Sequence, residues 1–158
     1  MIRVIGLGEW VVSNHPGDLL KTYALATCIG VTVYADRQRA AGMIHIVLPE
    51  PPNKNEAEAR PAYYAVTGIP LLFNRMFRMF GCLPCELHVG LAGGAEVMGD
   101  RDVFMVGPRN LVAIRMILDS MRLPYRLIDV GGYYSRTLIM NVHTGEVTVV
   151  RQSLLLKN

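Results

Sequence analysis

Two apolar runs, residues 24–34 and 40–48, have the short polar turn Ala35-Asp36-Arg37-Gln38 between them, and this constrains the fold more than any other feature. Runs of this length, rich in Val, Ile and Tyr and separated by a short polar turn, read as an antiparallel hairpin. If the hairpin is centred between Asp36 and Arg37, Cys28 falls opposite His45. Directly opposed Cβ atoms lie about 4.5 to 5.5 Å apart, which puts a thiol and an imidazole one rotamer from a hydrogen bond. Such a contact turns a weakly acidic thiol into a nucleophilic thiolate. The pairing depends on the turn, because shifting it by one residue moves His45 off the pair.

The 158 residues suffice for one globular domain spanning 1–158, which at this size buries roughly 68–70% of its unfolded surface. Apolar residues make up 51% and charged residues 18%, a balance that excludes a disordered or fibrous chain. No stretch approaches the ~20 apolar residues of a membrane span, and the start has no signal-peptide anatomy. The expectation is a soluble, cytoplasmic protein. Three cysteines, an odd number, argue against a disulfide framework and for reduced thiols. A net charge of +3, spread rather than gathered on one face, offers no nucleic-acid surface.

Strands are expected at residues 3–5 and 10–13, in the hairpin runs, and at 85–91, 125–130, 137–142 and 147–151. Helical spacing covers 56–80, where Leu72, Met76 and Phe80 repeat at four-residue steps. Pro70 either kinks that helix or delays its start to about Ile69. An exposed link leads to a second helix over 110–121, with Asn110 as its cap. About seven strands and two main helices, out of regular alternation, indicate an α+β layered sandwich of mixed or antiparallel sheet.

Taken singly, Cys28 is a typical core cysteine and His45 a typical satisfied histidine. As a pair they ask for a reason, since neither packs better than Val or Leu. The chemistry they suit is acyl transfer, with His45 as base and Cys28 as nucleophile, and a third group fixing the imidazole tautomer. Cys82-Leu83-Pro84-Cys85 has CxxC spacing, but it follows a helix and precedes a strand, the reverse of a thioredoxin-like context. Zinc would need a second ligand pair, and only His88 is near. Gly93-Gly94 and Gly131-Gly132 follow strands without dinucleotide or P-loop spacing, so their expected task is positive φ or close backbone approach. Arg109 is a candidate anion or carbonyl contact.

In order along the chain, these motifs resemble the CheD family of chemoreceptor glutamine deamidases. The likeness runs over residues 4–151. It includes Gly8-Glu9, Pro16-Gly17, the segment 22–28, Gly42-Met43-Ile44-His45, Leu48-Pro49 and Gly93-Gly94-Ala95. It continues through Gly107-Pro108-Arg109-Asn110, Asp129-Val130-Gly131-Gly132, Arg136 and Thr144-Gly145. The resemblance implies a fold similar to that of the toxin-deamidase cysteine hydrolases. It implies hydrolysis of receptor glutamines to glutamate with release of ammonia, Cys28 as nucleophile, His45 as base and Thr22 orienting the histidine. It also implies methyl-accepting chemoreceptor helices as substrate, a CheC-type phosphatase as partner, and no metal or organic cofactor. Thr27, Gly93, Gly94, Arg109, Gly131 and Gly132 form the candidate substrate and oxyanion region.

Six residues of extended strand span about 20 Å, too far for Thr22 and Cys28 both to reach one imidazole, so the chain must bend between Tyr23 and Thr27. Three departures stand out. Ala26-Thr27 replaces the usual Gly-Ser before the cysteine, Val66 stands where Asp is common, and Tyr133 where Asn is common. Two rivals to the enzyme follow: a binding module of the same fold that regulates the phosphatase, and a thiol redox protein using Cys82 and Cys85.

Overall fold

A computed structural model describes residues 1–97 and 104–155. Most of the link expected before the second long helix, residues 98–103, lies outside them. In chain order the strands are β1 (Ile2–Ile5), β2 (Trp10–Ser13), β3 (Leu19–Leu25), β4 (Ile29–Ala35), β5 (Ala40–Ile46), β6 (Leu87–Gly93), β7 (Tyr125–Val130), β8 (Tyr134–Asn141) and β9 (Val147–Ser153). The helices are α1 (Lys54–Ala59), α2 (Ala65–Phe80) and α3 (Val106–Ser120).

The strands form two sheets, β1-β3-β8-β9 and β2-β5-β4-β6-β7. Both are mixed, with β1 parallel to β3 and β6 parallel to β7. One face of the five-stranded sheet carries Ile29, Val31, Val33, Ile44 and Ile46, packed under Ile69, Leu72, Phe73 and Met76 of α2 and Ile114 and Leu118 of α3. Its other face carries Cys28, Tyr34, Ala41 and Met43, packed against Leu20, Leu25, Leu138 and Met140 of the four-stranded sheet. The layers therefore run sheet, sheet, helices, in keeping with the expected α+β sandwich. Because β4 and β5 are covered on both faces, every one of their residues is buried, and both read as nearly continuous apolar runs.

The run 24–34 is not one strand. Its first residues finish β3 in one sheet and the rest become β4 in the other. The crossing is made by a register break between Thr22 and Leu25 against β8, with Ala24 at φ +57° and an inner turn from the Ala26 N–H to the Ala24 carbonyl. The bend demanded between Tyr23 and Thr27 is this feature.

The hairpin register also differs from the expected one. Ala35 pairs with Ala40, so the loop comprises Asp36, Arg37, Gln38 and Arg39, and Gly30 rather than Cys28 faces His45. The Arg39 N–H closes the loop onto the Asp36 carbonyl, with Arg39 itself at φ +47°. The four-residue turn is thus displaced by one position along the chain, which moves the pairing by two. The slip preserves the face: Cys28 lies two residues before Gly30, diagonal to His45, where neighbours stand about 7 to 8 Å apart by Cα.

Helical structure over 56–80 is broken at Arg60 and by a 3₁₀ turn, Pro61–Tyr63, before α2 begins at Ala65 and runs through Pro70. Helix α3 starts four residues earlier than expected, so Asn110 lies inside it and Met105 occupies the capping position. No helix among the described residues is long and apolar enough to cross a membrane.

Candidate active site

Between the two sheets, β3 and β5 bring Thr22 and His45 together. The Thr22 Oγ1 lies 2.7 Å from His45 Nδ1 and 2.8 Å from the Ile5 carbonyl oxygen. A carbonyl can only accept, so the single hydroxyl proton goes to Ile5 and the hydroxyl must accept from Nδ1–H. That fixes the tautomer. Nε2 is the bare nitrogen, and among the described residues it is buried without a hydrogen-bond partner. Thr22 is fully buried and His45 is 1% exposed, and burial pushes the imidazole down to about 4. At neutral pH it is an uncharged base with an unused lone pair.

Cys28 lies on the same face of the sheet as His45 and is 8% exposed. Burial pushes its thiol up to about 11, and the Thr27 side chain and the cysteine's own backbone N–H offset this only in part. The expectation of a sulfur already ionised by the ring nitrogen is therefore corrected: desolvation outweighs the available hydrogen bonding, and the resting pair is neutral thiol and neutral imidazole.

Three consecutive carbonyls of the bend holding Cys28 are each tied to a different donor. The Ala26 carbonyl accepts from the Ala95 N–H at 2.7 Å and the Cys28 carbonyl from the Gly94 N–H at 3.0 Å. The Thr27 carbonyl accepts from Asn110 Nδ2 at 3.0 Å. Gly93 (φ +119°) runs so close that a Cβ there would collide with the Cys28 carbonyl oxygen, which is the close approach expected of the glycine pair.

Of the other candidates, Gly131 donates to the Gly93 carbonyl, and the Gly132 carbonyl accepts from the Glu96 N–H. These two residues brace the strand end behind Cys28. The N–H groups of Gly94 and Gly131 are thus engaged by protein carbonyls. Arg136, almost wholly buried, holds the Gly131 turn from below through the Gly131 carbonyl and Asp129. Arg109 is exposed on α3, lining a groove with Pro49, Val66 and Met105. Ala26 does not adopt positive φ, so losing the usual glycine removes no conformation this loop uses. Cys82 is buried and Cys85 exposed, and His88 pairs with Asp36 at 2.7 Å.

Asn110 is the residue that sequence reasoning misplaced. It is fully exposure-free, and its amide also donates to the Val47 carbonyl at 2.9 Å, two residues beyond His45. An asparagine amid the apolar positions of an amphipathic helix was the available signal.

Residues 47–151 match the family model described as CheD chemotactic sensory transduction. The probable chemoreceptor glutamine deamidase CheD of Syntrophotalea carbinolica is 43% identical over 149 residues, covering 92% of this chain and 91% of that one. The probable chemoreceptor glutamine deamidase CheD 1 of Syntrophus aciditrophicus is 32% identical over 147 residues, with 92% and 91% covered. Among solved structures, Bacillus licheniformis hypothetical protein YfiH aligns with a TM-score of 0.51 at 12% identity, covering 78% of this chain and 51% of that one. This last likeness is one of fold alone.

Proposed function

The chain belongs to the CheD family, and from that premise we propose that it is a protein-glutamine glutaminase. It hydrolyses selected glutamine side chains on methyl-accepting chemoreceptor helices to glutamate, releasing ammonia, with Cys28 as nucleophile, His45 as base and Thr22 orienting the imidazole. The observation that carries this reading is the Thr22 hydroxyl, which accepts from Nδ1–H while donating to Ile5 and so leaves Nε2 of His45 unprotonated and unpartnered in the layer that holds Cys28.

The steps follow from the resting protonation states. Because burial disfavours both the free thiolate and the imidazolium, the proton moves from sulfur to Nε2 as the sulfur attacks the carboxamide carbon, so that no free thiolate forms and the imidazolium is balanced by the oxyanion on the former carbonyl. The tetrahedral intermediate collapses by breaking the C–N bond, Nε2–H protonates the departing nitrogen, and ammonia leaves. A thioester remains on Cys28. His45 then takes a proton from water, the hydroxide attacks the thioester carbon, the C–S bond breaks, and the proton returns to sulfur. Four proton transfers through one nitrogen demand a fixed ring, and Thr22 supplies that.

The rival reading, a binding module without catalysis, drew on the departures at Ala26, Val66 and Tyr133. The ordinary φ of Ala26 supports the enzyme. A CheC-type phosphatase as partner and a cytoplasmic location are part of the proposal, the latter supported by three free cysteines.

The test is to incubate the protein with a receptor cytoplasmic fragment and follow ammonia together with peptide mass. The proposal expects a gain of about one dalton per converted glutamine, abolished by Cys28→Ala. Receptor binding without mass gain favours the module.

A further inference from the structure

Each carbonyl of the bend at Ala26, Thr27 and Cys28 has a donor, but the donors differ in kind. The two outer ones are backbone N–H groups of Ala95 and Gly94, fixed by the end of β6. The central one is a side chain, the Asn110 amide. That same nitrogen reaches the Val47 carbonyl, so one NH₂ group spans the nucleophile bend and the continuation of the strand that carries His45. Both its protons are used. Its orientation is unambiguous, because two carbonyl partners require the nitrogen and not the oxygen.

The chemical consequence lies on the far side of the peptide. In a trans peptide the carbonyl of one residue and the N–H of the next point in opposite directions. With the Thr27 carbonyl held on Asn110, the Cys28 N–H must point away from α3. Among the described residues this N–H makes no turn or loop hydrogen bond to another backbone group and faces only the cysteine's own sulfur, the atom that would attack. An oxyanion formed at the carbon bonded to that sulfur needs donors fixed in advance. The N–H groups of Gly94 and Gly131, two of the candidates of the expected oxyanion region, are already engaged.

We infer that Asn110 is a positioning residue that locks the Thr27-Cys28 peptide so that the Cys28 N–H serves as the oxyanion donor in amide hydrolysis. The inference rests on the deamidase reading above and adds to it the element that reading lacks. Without the Asn110 amide the outer carbonyls stay tied to β6, so the sulfur keeps its place while the central peptide is free to rotate.

The contrast between two reactions of the same sulfur provides the test. Alkylation by iodoacetamide displaces iodide at a saturated carbon and forms no oxyanion, whereas glutamine hydrolysis does. The similarly sized Asn110→Leu loses both donors without adding a charge to the buried site. Asn110→Ser keeps one hydroxyl donor and provides a second variant should the first not fold. For Asn110→Leu, kcat per alkylatable Cys28 on a receptor fragment is expected to fall by about 10²-fold, with KM and the rate of Cys28 alkylation within about threefold of the unaltered protein. Asn110→Ser is expected to fall by about tenfold in kcat with the same two quantities preserved. Unchanged kcat in a folded variant overturns the inference. So does a fall in which alkylation changes in step, because that is the behaviour of a merely structural residue. Failure of the unaltered protein to deamidate at all is a different result, and it removes the deamidase reading instead.

Discussion

The Thr22 hydroxyl stands 2.7 Å from His45 Nδ1 and gives its own proton to the Ile5 carbonyl, so a residue of one sheet dictates which nitrogen of a histidine in the other sheet is free. Thr22→Val keeps the β-branched shape and removes the acceptor. The freed ring can then rotate or change tautomer, and kcat is expected to fall on the order of 10²-fold. A buried Nδ1–H and the Ile5 carbonyl lose their partner, which costs about 1–3 kcal/mol of stability. Steady-state kinetics with urea unfolding of the same samples check both, and full activity in the valine variant contradicts the assignment of Thr22.

His45 makes stability depend on pH in a definite direction. Its imidazole is held down to about 4 in the folded protein, against an ordinary value near 6.5. Above pH ~6.5 the group is neutral in both folded and unfolded chains and exerts no pull. As pH falls from there towards 4 the unfolded chain takes up a proton that the folded one refuses, so stability is lost across that window, by about 3 kcal/mol from this residue. Unfolding free energies measured from pH 7 to 4 should fall more steeply for the unaltered protein than for His45→Gln.

Cys28 should be a slow thiol in the absence of substrate. Its thiol is raised to about 11 by burial, while Cys85 is exposed. Mass-spectrometric mapping after brief iodoacetamide treatment at pH 7.5 is expected to show Cys85 modified well before Cys28, with the Cys28 rate rising about tenfold per pH unit towards pH 10. A Cys28 that outpaces Cys85 at neutral pH contradicts the neutral resting pair.

Gly93 allows the backbone contact behind Cys28. Gly93→Ala places a Cβ into the Cys28 carbonyl oxygen at a φ of +119°, and about 3 kcal/mol of destabilisation is expected. Thermal unfolding measures it. Gly131→Ala, whose Cβ meets nothing but whose φ is +75°, should cost only about 1 kcal/mol.

Local patterning made much of this architecture readable. Strands at 10–13 and 125–130 coincide with β2 and β7, and Cys28 and His45 share a face because period-2 alternation survives a slip that moves the pairing by two residues. What the pattern could not carry were effects of tertiary origin. Nothing local announces that the run 24–34 changes sheets, since both pieces are apolar and the break rests on Ala24 at positive φ, a residue with no special tolerance for it. The four-residue turn depends likewise on Arg39. Asparagine beside Gly-Pro is a common helix start, so the sequence points to Asn110 as a cap, and only the packing of α3 reveals an amide buried against two loops. The neutral state of the Cys28 and His45 pair follows from desolvation by the facing sheet, a quantity that no spacing encodes.

The central claim is that the Cys28 sulfur attacks the glutamine carboxamide with His45 as base, and a covalent intermediate tests it most directly. Acid-quenching a reaction with a receptor fragment during steady turnover and mapping the enzyme by mass spectrometry should find the substrate joined through a thioester to Cys28, absent in Cys28→Ala and strongly reduced in His45→Gln. Continued deamidation by the Cys28→Ala protein, with no adduct on the unaltered one, would contradict the account.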